Sequence, residues 1–294
     1  MKNKKLVVFL IVLLSIISVL LIFFMINLMN GKIRFNRFSF GSSVSTELVL
    51  DEVYQNDFEK IEVISEAGDI YVKQADSSDV RVVVYGDKEY TKVDVNNKLS
   101  VESNMKKCSG ICFNRKISKV EIYLPKDYSN SIKVVNNYGD IVVEEFINAS
   151  IVIEEDCGNI DIVGADEVQV NNNLGDISIG KVNKASIEQS AGDVVIEDVN
   201  DVVVENNLGD IEIKNVSNYL KLLADCGDIE VDNINLKKDS IIENNLGKVK
   251  IGSTNEIKII ADTDLGDVKI NENYKKSNIT LEIKNDCGDI VVNN

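Results

Sequence analysis

The sequence has no histidine and no tryptophan, and its 294 residues include a single proline, Pro125. Without histidine the chain cannot form a Ser-His-Asp triad, a Cys-His pair or a histidine-ligated metal site. Carboxylate catalysis needs one unique constellation in a cleft, whereas the carboxylates of this chain recur in a regular pattern. We therefore predict that the protein is not an enzyme, with a polysaccharide-acting enzyme as the least favoured alternative.

Positive charge is also scarce, since 32 Lys and Arg stand against 48 Asp and Glu and give a net charge of −16. An acidic surface repels nucleic acid and anionic lipid, so we predict no nucleic-acid partner. The exception is a basic segment at residues 106–119. It is either a solvated loop or a contact for lipid head groups or for an anionic wall polymer.

What the chain has in abundance is a repeat: a small or apolar residue, Gly, Asp, and then Ile or Val, as in Leu208 to Ile211. We assign its glycines to structural turns, and they are Gly68, Gly139, Gly158, Gly175, Gly192, Gly209, Gly227, Gly247, Gly266 and Gly288. From Gly139 onward the steps between them are 19, 17, 17, 17, 18, 20, 19 and 22 residues. Self-similarity at such a period is typical of repeat architectures.

Apolar residues alternate with period two on both sides of each glycine, as at Val202, Val204, Ile211 and Ile213. This period and the many β-branched residues indicate strands. Each unit is predicted to be a strand, a glycine turn, a second strand and a short linker. One coil cannot cover its own apolar face, so coils must stack. We predict an all-β fold, a single-stranded parallel β-helix (β-solenoid) with coils of about 18 residues, preceded by one transmembrane α-helix.

Two further positions of the repeat are predicted to point inward. Three residues before the glycine stand Asn136, Glu155, Asn172, Gln189, Asn206, Asn244 and Asn285, which we interpret as stacked groups that bond to each other and to the turn backbone. The residue directly before the glycine is predicted to be buried. Cys157, Cys226 and Cys287 occupy it, and we expect buried free thiols because several coils separate them.

The aspartate after each glycine is predicted to accept hydrogen bonds from backbone N–H groups. Asp176, Asp193, Asp210 and Asp228 would stack in successive turns, which raises the question of calcium. Calcium-binding β-rolls carry more glycine and an aspartate at both turns of the coil, whereas this repeat has one Gly-Asp per coil. No cofactor is therefore predicted, and calcium is kept as an alternative.

The N-terminus contains an apolar run, Leu6–Met29, that follows Lys2, Lys4 and Lys5. As a helix its 24 residues would be about 36 Å long, which is enough to span a bilayer. No small-x-small cleavage site is apparent, so we predict an uncleaved, single-pass signal anchor in the cell membrane. Residues 1–5 would lie in the cytoplasm and the C-terminal domain outside the membrane.

The rest of the chain divides into a stalk or linker at 30–46, an N-terminal β region at 47–125 that closes the solenoid, and the Gly-Asp solenoid at 126–294. Asn96 and Asn97 are predicted to form a hairpin turn. The chain stops at Asn294 just after a repeat strand, so we predict an uncapped last coil that pairs with a partner or a second copy. Cys108 and Cys112 form a disulfide, remain free thiols or bind a metal.

The order of these motifs resembles a known bacterial family. A coil containing Ser65 to Ile70 is followed by Val120 to Pro125, and then by Asn137 to Ile141 and many Gly-Asp-Ile coils. Over about residues 47–294 this is similar to the β-strand-repeat family of unknown function that is labelled a candidate adhesin of the bacterial envelope. The resemblance implies a β-solenoid at the cell envelope and brings no catalytic residues.

Two functional hypotheses follow. The first is a non-enzymatic, membrane-anchored extracytoplasmic solenoid that acts in adhesion or as an envelope scaffold, with an envelope protein or wall polymer as partner. The second is an accessory of envelope-stress sensing, which some relatives of the resembled family suggest, acting through the helix Leu6–Met29.

Overall fold

The structure, a computed structural model, describes residues 43–44, 47–104 and 116–293. These residues belong to one compact unit, Ser42–Asn294. Among them, no helix combines the length and the apolar character that crossing a membrane requires. The predicted anchor Leu6–Met29 lies outside the described residues, and so do Cys108 and Cys112.

The described residues are almost entirely β-structure, with one 3₁₀ turn at Lys88–Tyr90. The strands are β1 (Ser43–Val44), β2 (Leu48–Tyr54), β3 (Lys60–Ser65), β4 (Gly68–Ala75), β5 (Val80–Tyr85), β6 (Thr91–Val95), β7 (Lys98–Ser103), β8 (Lys116–Pro125), β9 (Ser131–Tyr138), β10 (Ile141–Cys157), β11 (Ile160–Leu174), β12 (Ile177–Ala191), β13 (Val194–Leu208), β14 (Ile211–Cys226), β15 (Ile229–Ile234), β16 (Ser240–Leu246), β17 (Val249–Thr254), β18 (Lys258–Leu265), β19 (Val268–Ile270), β20 (Thr280–Cys287) and β21 (Ile290–Val292).

In the middle of the chain each coil pairs with the next in parallel, from β10 through β14. The predicted all-β solenoid is therefore confirmed. The predicted linker within each coil is not found there, because β11, β12 and β13 each run through 15 residues from one glycine turn to the next. The inside–outside alternation breaks halfway along β11, at Gly164 and Ala165, while the parallel pairing with the neighbouring coil continues on both sides of that point. Continued pairing is expected, because a gap in the ladder would leave backbone polar groups without partners.

The interior of the stack is a continuous column of aliphatic side chains. Around Gly209 the inward residues are Val202, Val204, Ile211, Ile213 and Val216, all of them buried. The same offsets are buried around Gly175, so like side chains lie above one another from coil to coil. Burial of these rows is the main favourable term for a fold in which each coil contacts only its neighbours.

At the C-terminal end the order of coils in space departs from the order in the sequence. Strand β20 pairs with β16 on one side and with β18 on the other, and β21 lies between β17 and β19. The coil of Gly288 is thus inserted between the coils of Gly247 and Gly266. The expectation that the last strands form an open terminal coil is wrong, because β18 and β19 hold that position.

At the N-terminal end the same departure occurs. Strand β3 pairs with both β7 and β9, and β4 pairs with both β8 and β10, so the first coil of the chain is second in the stack. Strands β2 and β5 add antiparallel pairs beyond β8, and β6 pairs antiparallel with β7 through the turn predicted at Asn96 and Asn97.

Candidate interaction surfaces

The glycine turn brings three rows of functional side chains together, and Gly209 shows why the turn needs glycine. Its φ is +129°, and a Cβ built on it would lie 2.1 Å from the carbonyl oxygen of Gly192 in the preceding coil. Only glycine tolerates both conditions. Of the ten turn glycines, eight have such a positive φ, while Gly158 and Gly266 meet the same close carbonyl without it.

Inside the turn lies the amide ladder, the row three residues before each glycine. Asn206 Nδ2 donates to the carbonyl oxygens of Gly192 and Gly209, at 3.1 Å each. Asn172, two coils away, repeats this pattern and donates to the carbonyl oxygens of Gly158 and Gly175. The ladder is buried as expected, but its amide donors bond to the turn carbonyls of two coils and so tie adjacent coils together.

Glu155 occupies a position of the amide ladder and lacks an amide donor. Its side chain is buried, its Oε1 accepts from the backbone N–H of Cys157 at 3.3 Å, and its Oε2 has no partner among the described atoms. Burial raises the pKa of this carboxyl to about 8, against an ordinary value of 4.5. At neutral pH the neutral form of this carboxyl is therefore favoured.

Outside the turn lies the aspartate ladder, the row directly after each glycine. Asp210 Oδ1 accepts from the backbone N–H of Asp228 in the next coil at 2.8 Å, and Asp193 accepts in the same way from Asp210. Lys248 interrupts the row, because its N–H donates to Asp228 but its side chain offers no acceptor. In the ranges that the structure describes, no group of three acidic or thiol side chains is placed to hold a metal ion.

From Gly139 onward the residue directly before the turn glycine faces outward, which corrects the prediction of a buried position. Ala67, before Gly68, is buried as predicted. Cys157 is exposed, and Cys226 and Cys287 are half-buried. These three are free thiols, as expected, but they are not core side chains. The reason is local: the inside–outside alternation of the strand stops at the corner, where the two residues before the glycine both point to solvent.

Together these outward residues form an apolar stripe along one edge of the stack. In spatial order it consists of Tyr138, Cys157, Leu174, Ala191, Leu208, Cys226, Leu246, Cys287 and Leu265. Leu208 is 55% exposed and Leu265 is 70% exposed. The stripe lies between the aspartate ladder and a second polar row, in which Asn173 and Asn245 donate to the aspartates of neighbouring coils.

A second surface, the tyrosine–lysine cluster, lies on the outer face of β4, β5 and β8. Lys73 Nζ is 5.0 Å from the ring centre of Tyr71, and Lys119 Nζ lies 5.3 Å from the same ring and 5.4 Å from that of Tyr85. Such distances are typical of cation–π contacts. Both lysines also bond to Glu121 at 2.8 Å.

The tyrosine–lysine cluster is not among the features predicted from the sequence, although the spacing of its residues along two strands is a signal that could have indicated it. Tyr71, Lys73, Lys119, Glu121 and Tyr123 alternate with buried residues along β4 and β8. The parallel register of the two strands, which sets Tyr71 beside Glu121 and Lys73 beside Tyr123, brings them onto one face. Burial raises the pKa of the Glu121 carboxyl, but the two lysines outweigh it and lower this pKa to about 2.

Comparison with known proteins places this geometry in context. Three solved structures are similar to the chain: a candidate adhesin from Bacteroides fragilis (18% identity, 86% of this chain and 100% of that chain, TM-score 0.45), a candidate cell adhesion protein from Clostridium sporogenes (13%, 83% and 98%, 0.27) and a candidate lipid-binding protein from Parabacteroides distasonis (13%, 84% and 97%, 0.49). No curated protein matches the sequence.

The resemblance to a bacterial β-repeat family is confirmed by a match to a described family over most of the chain. Its profile covers residues 58–293, which extend from just before β3 to the end of the described C-terminus. The chain therefore belongs to the Toastrack DUF4097 family.

Proposed function

We propose that the protein is a non-enzymatic solenoid, anchored in the membrane by residues 6–29, that presents a repetitive surface outside the membrane for adhesion or as an envelope scaffold. The observation that carries the proposal is the repetition of the outer rows. The apolar stripe and the aspartate ladder offer the same chemistry from coil to coil, and extended solenoid surfaces of this kind are binding surfaces. A catalytic site would need one coil to differ from its neighbours.

The anchor is proposed from the sequence. A 24-residue run that is apolar except for Ser15, Ser18 and Asn27, after a lysine-rich N-terminus, suits a helix that spans a bilayer and keeps that end inside the cell. The net charge of −16 suits a soluble domain held away from anionic lipid.

Cys157 provides a test of location, because its thiol is exposed. In intact cells that produce the full chain, a maleimide that cannot cross membranes should label the peptide containing Cys157. The Cys157→Ser variant is the control for peptide assignment, and permeabilised cells give the total signal. Labelling that occurs only after permeabilisation would refute an extracytoplasmic domain.

Replacing residues 6–29 by an unrelated membrane anchor tests the role. A displayed surface should keep its activity in cell adhesion and envelope integrity assays, because only the position of the solenoid matters. Loss of activity with normal surface labelling of Cys157 would instead indicate signalling through the native helix.

A further inference from the structure

The apolar stripe has a regular shape that the sequence order conceals. In spatial order large side chains (Tyr138, Leu174, Leu208, Leu246 and Leu265) alternate with small ones (Cys157, Ala191, Cys226 and Cys287) without exception. In sequence order the pattern fails, because Leu246 is followed by Leu265. The alternation is restored only because the last coil is inserted between the coils of Gly247 and Gly266.

Large residues therefore stand as knobs about 9.6 Å apart, with a notch at the coil between them. Four of the five knobs are leucines, and each of them is more than half exposed. Long apolar rows are uncommon on the surface of monomeric proteins, and where they occur they usually mark a surface that a partner covers. The spacing restricts what can fit: side chains on one face of a strand recur at about 6.8 Å, and the seven-residue repeat of a helix spans about 10.5 Å. A second copy of the stripe has the matching period over its whole length.

We propose that the apolar stripe is a self-docking surface, on which a second copy of this chain lies antiparallel with its knobs in the notches of the first. A two-fold axis between adjacent coils produces this arrangement, since it places each large position opposite a small one, for example Leu208 opposite Cys226 or opposite Ala191. Two-fold dimers with self-complementary surfaces are the commonest protein oligomers.

The size of the surface sets the strength of the association. With the copies offset by one coil, eight stripe positions overlap over about 34 Å, and the stripe with its two polar borders is about 13 Å wide. The product is about 440 Å² for each copy, or about 900 Å² for the pair, which is close to the lower limit for a specific interface. We therefore expect a dissociation constant in the micromolar range.

Charge adds a second signature. The stripe itself carries no charged side chain, but antiparallel docking brings the aspartate ladders of the two copies to the same side of the interface. Their mutual repulsion weakens the pair, and added salt screens it. The dimer should accordingly become tighter, not weaker, as the salt concentration rises.

Sedimentation velocity on the full chain in a mild detergent tests the proposal over a range of protein and salt concentrations. We expect a reversible monomer–dimer equilibrium that Leu208→Asp shifts at least ten-fold toward monomer. Val163→Asp is the matched control, because Val163 is 49% exposed and lies off the stripe. Thermal unfolding of both variants checks that the fold is intact. A chain that stays monomeric at all concentrations would overturn the proposal. The alternation of large and small side chains along the stripe would then serve only packing within one copy.

Oxidative cross-linking of cysteine variants tests the register. Leu174→Cys puts a thiol opposite Cys287 in the register that pairs Leu208 with Cys226, and opposite Cys226 in the register that pairs Leu208 with Ala191. In either of these two central registers a disulfide-linked dimer should form rapidly. Ala191→Cys is the matched control, because position 191 faces a leucine in both registers and should cross-link no faster than the wild-type chain. Rapid linkage of wild type or of Ala191→Cys through identical positions would indicate parallel pairing and overturn the antiparallel arrangement.

Discussion

The middle and the two ends of the solenoid are built from the same coil but follow different rules of order. From β10 to β14 each coil lies beside the coils that precede and follow it in the sequence. At the ends the order changes, so that Gly139 contacts Gly68 and Gly288 contacts Gly247. Among the described residues, the outermost parallel coil at each end, β7–β8 or β18–β19, is therefore neither the first nor the last coil in the sequence.

This difference shows how a repeat fold protects its ends. A last coil that is simply added to a stack has one neighbour and can fray without disturbing the rest. Here the outermost C-terminal coil precedes the last one, and the chain returns beneath it. The outer edge of β18 is also covered at one point, since Asn273 donates to the carbonyl oxygen of Ile259 at 2.8 Å and accepts from its N–H at 3.1 Å.

The largest effect is expected from removing residues 279–294, which tests the difference in coil order between the middle and the C-terminal end. The deletion takes away β20 and β21, whose buried Leu281, Ile283, Ile290 and Val292 lie inside the stack. Because β18 and β19 are paired through these strands, we expect the amides of 258–270 to lose their protection in hydrogen exchange, although that segment is still present.

The matched control removes a coil of similar length from the middle. Deleting residues 194–210 joins Asp193 to Ile211, which occupy successive positions of the repeat, and leaves the remaining coils able to stack. We expect this variant to fold with protected ends. Full protection of 258–265 in the C-terminal truncation would contradict the inserted arrangement.

The next effect concerns the glycine turns. Gly209→Ala should destabilise the protein by about 3 kcal/mol or more, because it combines a positive φ with a Cβ that would lie 2.1 Å from a carbonyl oxygen. Gly266→Ala meets a carbonyl at 2.2 Å, but Gly266 lies in the outermost coil, which can shift outward, and it has no positive φ. We expect a clearly smaller loss there. Chemical denaturation of both variants measures the difference, and equal losses would mean that the terminal coil is as constrained as the middle.

How far the sequence predicts this structure also differs between the two regions. The alternation of residues such as Val202 and Val204 with solvent-facing ones is a local signal, and it predicts the coils of the middle correctly. The position of the Gly288 coil depends on which of two similar coils packs against the coil of Gly247. The period of their apolar residues is the same and does not decide between them. The one local difference is at the ladder position, where the Gly288 coil has Asn285 and the Gly266 coil has Thr263.

The error at the cysteines has another cause. Period two predicts that residues three and one before the glycine share a face, and Asn206 is indeed inside. Leu208 is outside because the corner adds a residue to the outer side. A corner of this kind depends on backbone angles that the hydrophobic pattern does not record, and the apolar stripe begins at that point.

Glu155 gives a prediction within the middle region, where one rung of the amide ladder differs from its neighbours. Its pKa is raised to about 8 in the folded chain, so the folded state binds a proton that the unfolded state releases above 4.5. This contribution to stability is complete below pH 4.5 and is lost as the pH rises through about 8. We expect wild-type stability to fall by on the order of 2–4 kcal/mol between mildly acidic and alkaline pH.

Glu155→Gln supplies a permanent amide, as Gln189 does two coils away, and should remove this slope while stabilising the protein at alkaline pH. Denaturation curves over that pH range check the result. Glu121→Gln is the control, because the lowered pKa of Glu121 affects stability only below about pH 4.5. A slope that survives in Glu155→Gln would show that another group carries the pH dependence.

The smallest effect sharpens the comparison at the aspartate ladder. Asp210→Ala removes one acceptor for the Asp228 N–H and should cost about 1 kcal/mol of stability. Asp210→Asn keeps an acceptor, as Asn159 does naturally for Asp176, and removes a charge from a row of like charges. We expect Asp210→Asn to be neutral or slightly stabilising at low salt.

Asp289→Ala removes the hydrogen bond that Asp289 accepts from the Asp267 N–H at 3.0 Å, and so acts on the last step of the aspartate ladder. Faster hydrogen exchange confined to the outermost coil is expected in that variant, while Asp210→Ala should lower the global unfolding free energy. If the two substitutions lowered global stability equally, the end coils would be as strongly coupled to the stack as those of the middle.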